Sequence, residues 1–399
     1  MNSFNELFEN LKTKAQKSNA RAIGYPVNRQ HAFKIDNELL GFTENTLATT
    51  YLNNIASPYE YGTYVSGHIK ELEIELMSKL AEYLGLSKDD HFGYTTYGGT
   101  EANTAAIWWH KKFLAKKYNS RVSLLCSKYS HYSLKKIADL LDLELVYIEA
   151  TEYQLDLVDL ENKSQTIDTP IIFLANFGNT VYGAIDDVIA VHVLLSKYKN
   201  GMFKIHGDAA IYGLSIPQIE PYNKLTSIFE IVDTFSFSGH KFLGSYSICG
   251  VILTKRSYLD AVFSRENVHI GYIQKAIDVT VSGSRQGFYA AELYLLVNEA
   301  LKLNNGIMAL TSIWDSCNQL ANWLANVLKE NFPNSKITHN YIRVVFPAPE
   351  SQETTDFLGR KYGLMPVENS QLGIYVFPRV TKAYLEEFLV DYIKALKIN

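Results

Sequence analysis

The sequence predicts an α/β protein: a large domain on a mostly parallel sheet, a smaller C-terminal α/β domain, and an N-terminal arm. Short apolar runs alternate with helical patterns between Arg121 and Lys255, a second strand–helix alternation follows residue 286, and residues 1–60 show neither pattern.

Residues 1–60 are rich in Asn, Tyr and turn formers, as in NNIASPYEYGTY, and read as an arm that wraps a neighbour or lines a site. The start, MNSFNELFENLKTKAQKS, reads as an amphipathic helix. Residues 61–285 form the large domain. Its strand-like runs are VSLLC, ELVYI, PIIFLAN, MFKIH, IVDTFSF and ICGVILT, separated by helical stretches such as Ser130 to Asp142 and Asp186 to Lys199. Near-continuous apolar strands alternating with helices specify a parallel sheet covered on both faces, and ligands of such sheets sit at the carboxyl ends of strands. Residues 286–399 form the small domain. Helical patterns over Gly287 to Leu303 and Ser312 to Asn331 precede a strand (Tyr341 to Phe346), a helix (Thr354 to Tyr362), a strand (Leu372 to Phe377) and a helix (Lys382 to Leu396).

Hydrophobic residues at 47% and charged residues at 20% describe an ordinary globular chain, and 399 residues suffice to enclose a cleft. No run of about 18 apolar residues suggests a membrane span. A net charge of -4 gives no support for nucleic-acid binding. The N-terminus lacks the apolar stretch of a signal peptide, and Cys126, Cys249 and Cys317 form no CxxC pair, so a reducing cytoplasm is expected, with Cys126 and Cys249, in apolar strand-like runs, as packed core thiols.

The chemistry centres on two residues. SFSGHKF places Lys241 beside Ser238, Gly239 and His240, and HGDAA places Asp208 at the end of an apolar run. Such a pair suits a pyridoxal phosphate enzyme, in which a lysine forms a Schiff base with the cofactor aldehyde and a carboxylate keeps the pyridine nitrogen protonated. Ala209 and Ala210 leave room for a flat ring. YGGTEAN puts Gly99 and Thr100 at a helix N-terminus, where free N–H groups bind phosphate; an ordinary capped turn accounts for the same residues. His131 sits where an imidazole can stack on a ring or simply cap a helix, and Thr180 follows a strand where it can reach a ligand or serve a turn. A metal site at His206, Asp208 and His240 matches no familiar ligand spacing.

Together these segments resemble the group II pyridoxal phosphate-dependent amino acid decarboxylases, most closely the bacterial histidine decarboxylases and plant serine decarboxylases. The resemblance runs from Ile23 to Gly287 through IGYP, YGGTEAN, SHYS, NFGNTVYGAIDD, HGDAA, SGHKFLGS and TVSGSRQG. It implies fold type I, pyridoxal 5'-phosphate as cofactor, and a homodimer with active sites at the subunit interface. It also implies decarboxylation of an L-amino acid, with L-histidine to histamine leading and serine or another amino acid as the alternative. An aminotransferase, an oxidative deaminase or a non-catalytic cofactor binder are the other readings. By position, the resemblance makes Lys241 the Schiff-base lysine, Asp208 the pyridinium partner and His131 the residue stacked on the ring, with Ala210 on the opposite face. Gly99, Thr100, Ser238 and His240 would hold the phosphate, Thr180 would lie near the ring substituents, and Tyr272, in the segment matching a mobile catalytic loop (Arg256 to Ser284), would return a proton.

Four departures from the family pattern bear on substrate. NNIASP (Asn53 to Pro58) stands for NNxGDP, GSRQGF brings Phe288 where a histidine is usual, GNT brings Asn179 in place of GTT, and SYSICG replaces a proline-containing segment after the lysine.

Overall fold

The computed structural model describes residues 9, 23–26, 31–35, 41, 45, 50, 52–59, 68–263 and 278–397. The chain divides into a larger unit, His31–Thr180 with Ala184–Thr311, and a smaller one of Met1–Gln30, Val181–Gly183 and Ser312–Asn399.

The larger unit holds a seven-stranded sheet: β1 (Phe92–Thr96), β2 (Ser123–Ser127), β3 (Glu144–Ile148), β4 (Ile171–Asn176), β5 (Phe203–Asp208), β6 (Thr234–Ser238) and β7 (Gly250–Thr254), in the order β1-β7-β6-β5-β4-β2-β3. Neighbours from β6 to β3 run parallel, while β7 is antiparallel to both β6 and β1. The register aligns Asn176 with Asp208 and Asp208 with Ser236, so the carboxyl ends of three strands share one rim.

The helices of this unit are α1 (Lys70–Tyr83), α2 (Gly99–Tyr118), α3 (Ser133–Leu140), α4 (Leu157–Thr166), α5 (Val188–Lys199), α6 (Arg256–Phe263) and α7 (Phe288–Ala300). Helix α2 carries two apolar stripes. Ala102, Ala105, Ala106 and Trp109 pack with Phe92, Tyr94 and Ile252, whereas Ile107 and Leu114 pack with Leu124, Ile172 and Leu174. Burial on two sides fixes the helix against rotation, and with it whatever its N-terminus presents. Cys126, Cys249 and Cys317 are free and buried, and burial pushes each thiol up to about 12. Among the described residues no helix is long and apolar enough to cross a membrane.

The smaller unit has an antiparallel sheet of β8 (Thr338–Asn340), β9 (Arg343–Pro347), β10 (Met365–Val367) and β11 (Gln371–Tyr375), ordered β8-β9-β11-β10. Helices α8 (Ala309–Asn331), α9 (Gln352–Tyr362) and α10 (Lys382–Lys397) accompany it, and Leu324, Leu328, Phe346, Leu358, Phe388 and Tyr392 share its core.

These units differ from the boundaries expected at residues 60 and 285. Helix α7 packs on α1 in the larger unit, so the division falls after Thr311. An apolar stripe shows that a helix is buried but not against which core. Residues 181–183 go with the smaller unit because Arg343 Nε donates to the Val181 carbonyl (3.0 Å) and Asn340 Nδ2 to that of Tyr182 (3.0 Å). The described parts of the expected arm also separate. Ile23 N–H bonds the Tyr362 carbonyl at 2.9 Å in the smaller unit, whereas Asn54 N–H bonds that of Arg285 at 2.9 Å in the larger.

Candidate active site

At the carboxyl rim of the sheet a cleft of about 180 Å³ brings together Gly99, Thr100, His131, Thr180, Asp208, Ala210, Ser238, His240 and Lys241. Tyr97, Asn103, Asn176, Asn179 and Ile248 complete much of its wall. Tyr272 lies outside the described residues.

One end is built to receive an anion. Gly98, at φ 106°, turns the chain into α2, and no side chain among the described residues caps that helix. Such a φ is open to glycine at little cost, and an uncapped first turn leaves N–H groups and the positive end of the dipole facing the cleft. Opposite lies Ser238, whose buried hydroxyl has no hydrogen-bond partner among the described residues. A Cβ on Gly99 would come 3.0 Å from Ser238 Oγ and 3.5 Å from the Ala210 methyl, so glycine keeps this cradle open. His240 Nδ1 lies 3.1 Å from the Cys249 carbonyl, which can only accept, so the ring donates there. Burial, aided by Lys241, brings His240 down to about 4, and its Nε2 is left on the cleft side for a partner that shares a proton with it.

Asp208 is held by two donors at the end of β5. Asn103 Nδ2 donates to Oδ2 at 2.7 Å and the Ala210 N–H to Oδ1 at 3.0 Å. The second bond is the local backbone contact expected of an aspartate leaving a strand. His131 Nδ1 accepts from the Ser133 N–H (3.3 Å), which puts the ring proton on Nε2, and burial keeps the imidazole below its usual value against the pull of Asp208.

Lys241 is carried by the loop between β6 and β7. Gly239 N–H bonds the Cys249 carbonyl (2.9 Å), Ser245 N–H bonds that of Gly239 (3.0 Å), and Glu292 of α7 accepts from the Tyr246 N–H at 2.6 Å. Burial disfavours the charged amine and lowers Lys241, with Asp208 opposing.

The model of the pyridoxal-dependent decarboxylase conserved domain matches residues 25–346. The chain belongs to the pyridoxal-dependent decarboxylase family. This decarboxylase is 31% identical over 380 residues to histidine decarboxylase of Solanum lycopersicum, covering 93% of this chain and 84% of that one. It is 29% identical to serine decarboxylase 3 of Oryza sativa subsp. japonica (94% and 78% covered) and 30% identical to a histidine decarboxylase of Acinetobacter baumannii (86% and 84%). In fold it is similar to L-methionine decarboxylase from Streptomyces sp. 590, with TM-score 0.80, 18% identity, and 99% and 95% of the two chains covered. The fold is thus fold type I, the enzyme a carboxy-lyase, and pyridoxal phosphate its cofactor. The unpartnered Ser238 hydroxyl, the uncapped helix and the gap above Gly99 fit the phosphate of that group.

Sequence reasoning gave no role to several residues that shape this decarboxylase's site. Asn103 lies four residues after Gly99 on the same helix face, a spacing that could have pointed to it. Glu292, which pins the lysine loop, gave no local signal. Neither did the buried Glu73–Arg285 ion pair, which joins α1 to the GSR segment. Glu73 also accepts from the Thr95 N–H (2.7 Å) and from Asn54 Nδ2 (2.8 Å). Two of the departures meet each other: Asn53 bridges Gln286, and Ala56 N–H bonds the Gly283 carbonyl at 2.8 Å. The other two, at Asn179 and Ile248, line the cleft of the same chain.

Proposed function

We propose that this decarboxylase acts on L-histidine, giving histamine and carbon dioxide, with serine or another L-amino acid as the alternative. The observation that carries the chemistry is the convergence of Lys241, Asp208 and the open Ser238 cradle in one cleft. The choice of histidine rests on the identity of 30–31% with two histidine decarboxylases.

Bound pyridoxal phosphate supplies an electron sink for the pair left when the α-carboxylate departs as carbon dioxide. Lys241 would hold the group covalently, through an amine whose charged form burial disfavours. Asp208 would take the pyridine N–H, Gly99, Thr100, Ser238 and His240 the phosphate, and His131 and Ala210 the two faces of the ring, with Thr180 near the ring substituents. Orientation is then the main task of the protein, because only a carboxylate set across the ring plane is lost readily. Tyr272 would return the proton to the α-carbon. The same reading places the enzyme in the cytoplasm as a homodimer with the site at the subunit interface.

The test is a panel of L-amino acids incubated with holoenzyme, scored for amine by mass spectrometry and for carbon dioxide. Histamine as the leading product is expected. A different amine overturns histidine, and keto-acid-dependent turnover without carbon dioxide makes the chain a transaminase. Tyr272→Phe should lower kcat by about 10²- to 10⁴-fold, the range for a positioned acid–base group; unchanged amine yield removes Tyr272 from the reaction.

A further inference from the structure

Behind the cleft, buried side chains and the half-buried Tyr258 form a hydrogen-bonded file with one self-consistent set of proton positions. Asn103 Nδ2 donates to Asp208 Oδ2 at 2.7 Å; turning the amide over would set its oxygen against the carboxylate. Asn103 Oδ1 therefore accepts, from His206 Nε2 at 2.9 Å and Ser236 Oγ at 3.0 Å. With its proton on Nε2, His206 must accept at Nδ1, where Thr234 Oγ1 lies at 2.8 Å. Thr234 has then given its proton, so it accepts from His110 Nε2 at 2.9 Å, and His110 Nδ1 accepts from the Tyr258 hydroxyl at 2.7 Å. Each assignment forces the next. Burial holds both imidazoles below their usual value, His206 at about 4, and holds the Tyr258 phenol protonated, as the file requires.

We propose that Asn103, His206 and Tyr258 are positioning residues: a one-way file of donors, from Tyr258 on α6 to Asn103 on α2, that fixes the rotation of the Asp208 carboxylate. None of the three would touch substrate. His206 on β5 and Thr234 on β6 join the file across the sheet, so the direction of the Asn103 amide is set by the fold rather than by the ligand. A carboxylate held in this way keeps its aim when the cofactor departs and returns. The inference rests on the cofactor assignment and is independent of which amino acid is consumed.

The test uses holoenzyme of Asn103→Ala, His206→Leu, His206→Gln and Tyr258→Phe, with the melting temperature, cofactor retained on dialysis, and kcat and KM measured for each. Asn103→Ala should lose cofactor faster and fall in kcat by about 10- to 100-fold, the scale of losing an outer partner of a metal ligand, at nearly unchanged KM. His206→Gln, which keeps an N–H donor, should recover most of what His206→Leu loses. Tyr258→Phe, remote from the cleft and mild enough to fold, should lower kcat and cofactor retention by less, without raising KM. Variants that melt lower yet match wild-type kcat and cofactor retention overturn the proposal, as does a His206→Gln protein no better than His206→Leu. A wild-type chain that retains no pyridoxal phosphate would instead sink the cofactor assignment.

Discussion

Gly99 and Ser238 face each other so closely that a single methyl on the glycine would stand 3.0 Å from the serine hydroxyl, a hydroxyl that is buried and unpartnered among the described residues. A hydrogen bond from such a donor to a charged group is worth about 1.5–3 kcal/mol. Ser238→Ala should therefore weaken pyridoxal phosphate binding by roughly 10- to 150-fold, measured by equilibrium dialysis. The melting temperature of the apoprotein should stay near that of the wild type, because no bond within the protein is lost.

Lys241 is the expected point of covalent attachment. Borohydride reduction of the holoenzyme followed by peptide mass mapping should place the cofactor on Lys241, and Lys241→Ala should carry none. Its activity should fall at least about a hundredfold. A reduced adduct on another lysine would reassign the nucleophile.

The Glu73–Arg285 pair should contribute to the acid sensitivity of the larger unit. Burial pushes Glu73 up, yet Arg285 and the two Thr95 donors outweigh it and hold the carboxyl below its usual range. A depressed folded value means that the contribution is full above the unfolded value of about 4.3 and is lost as pH falls through the folded one. Removing one member leaves a buried charge, so Glu73→Gln should cost about 3–5 kcal/mol in chemical denaturation at pH 7. The variant should also lose less stability than the wild type on going to lower pH.

Asn179 is one of the two departures placed to affect specificity. It lines the cleft, and its own N–H is fixed by the Ala184 carbonyl at 2.8 Å. Asn179→Thr should shift the ratio of kcat/KM between histidine and serine by about tenfold, the scale of one pocket contact, while leaving cofactor affinity close to the wild type. A ratio that does not move would place the determinant elsewhere.

The central strands were legible because parallel strands buried on both faces must be continuous apolar runs: IIFLAN is buried at every position. Strand β1, FGYTT, was not. Its hydroxyls are buried with their bonds satisfied, Thr95 Oγ1 by Glu73 at 2.7 Å and Thr96 Oγ1 by the Gly98 carbonyl at 3.0 Å, so it lacks the apolar signature. The IVDTFSF run was also shorter than expected. The strand begins at Thr234, since the Asp233 side chain is taken by the Ile205 N–H at 2.8 Å. Lys241 and Asp208 could be read from their neighbours, but the partners that aim and pin them lie far along the chain. Asn103 is 105 residues from Asp208, and Glu292 is 46 residues from Tyr246 in the lysine loop.

The reversed direction of β7 has a consequence for how the site assembles. Because β7 runs back along β6, the Lys241 loop closes a hairpin and needs no helical crossover to return. The hairpin itself closes through contacts close in sequence, which form fastest, whereas the Glu292 clasp on Tyr246 and the Asn103 bond to Asp208 need distant segments to join. The backbone that carries Lys241 is thus shaped by its own hairpin, while the final aim of Lys241 and Asp208 waits on helices from elsewhere in the chain.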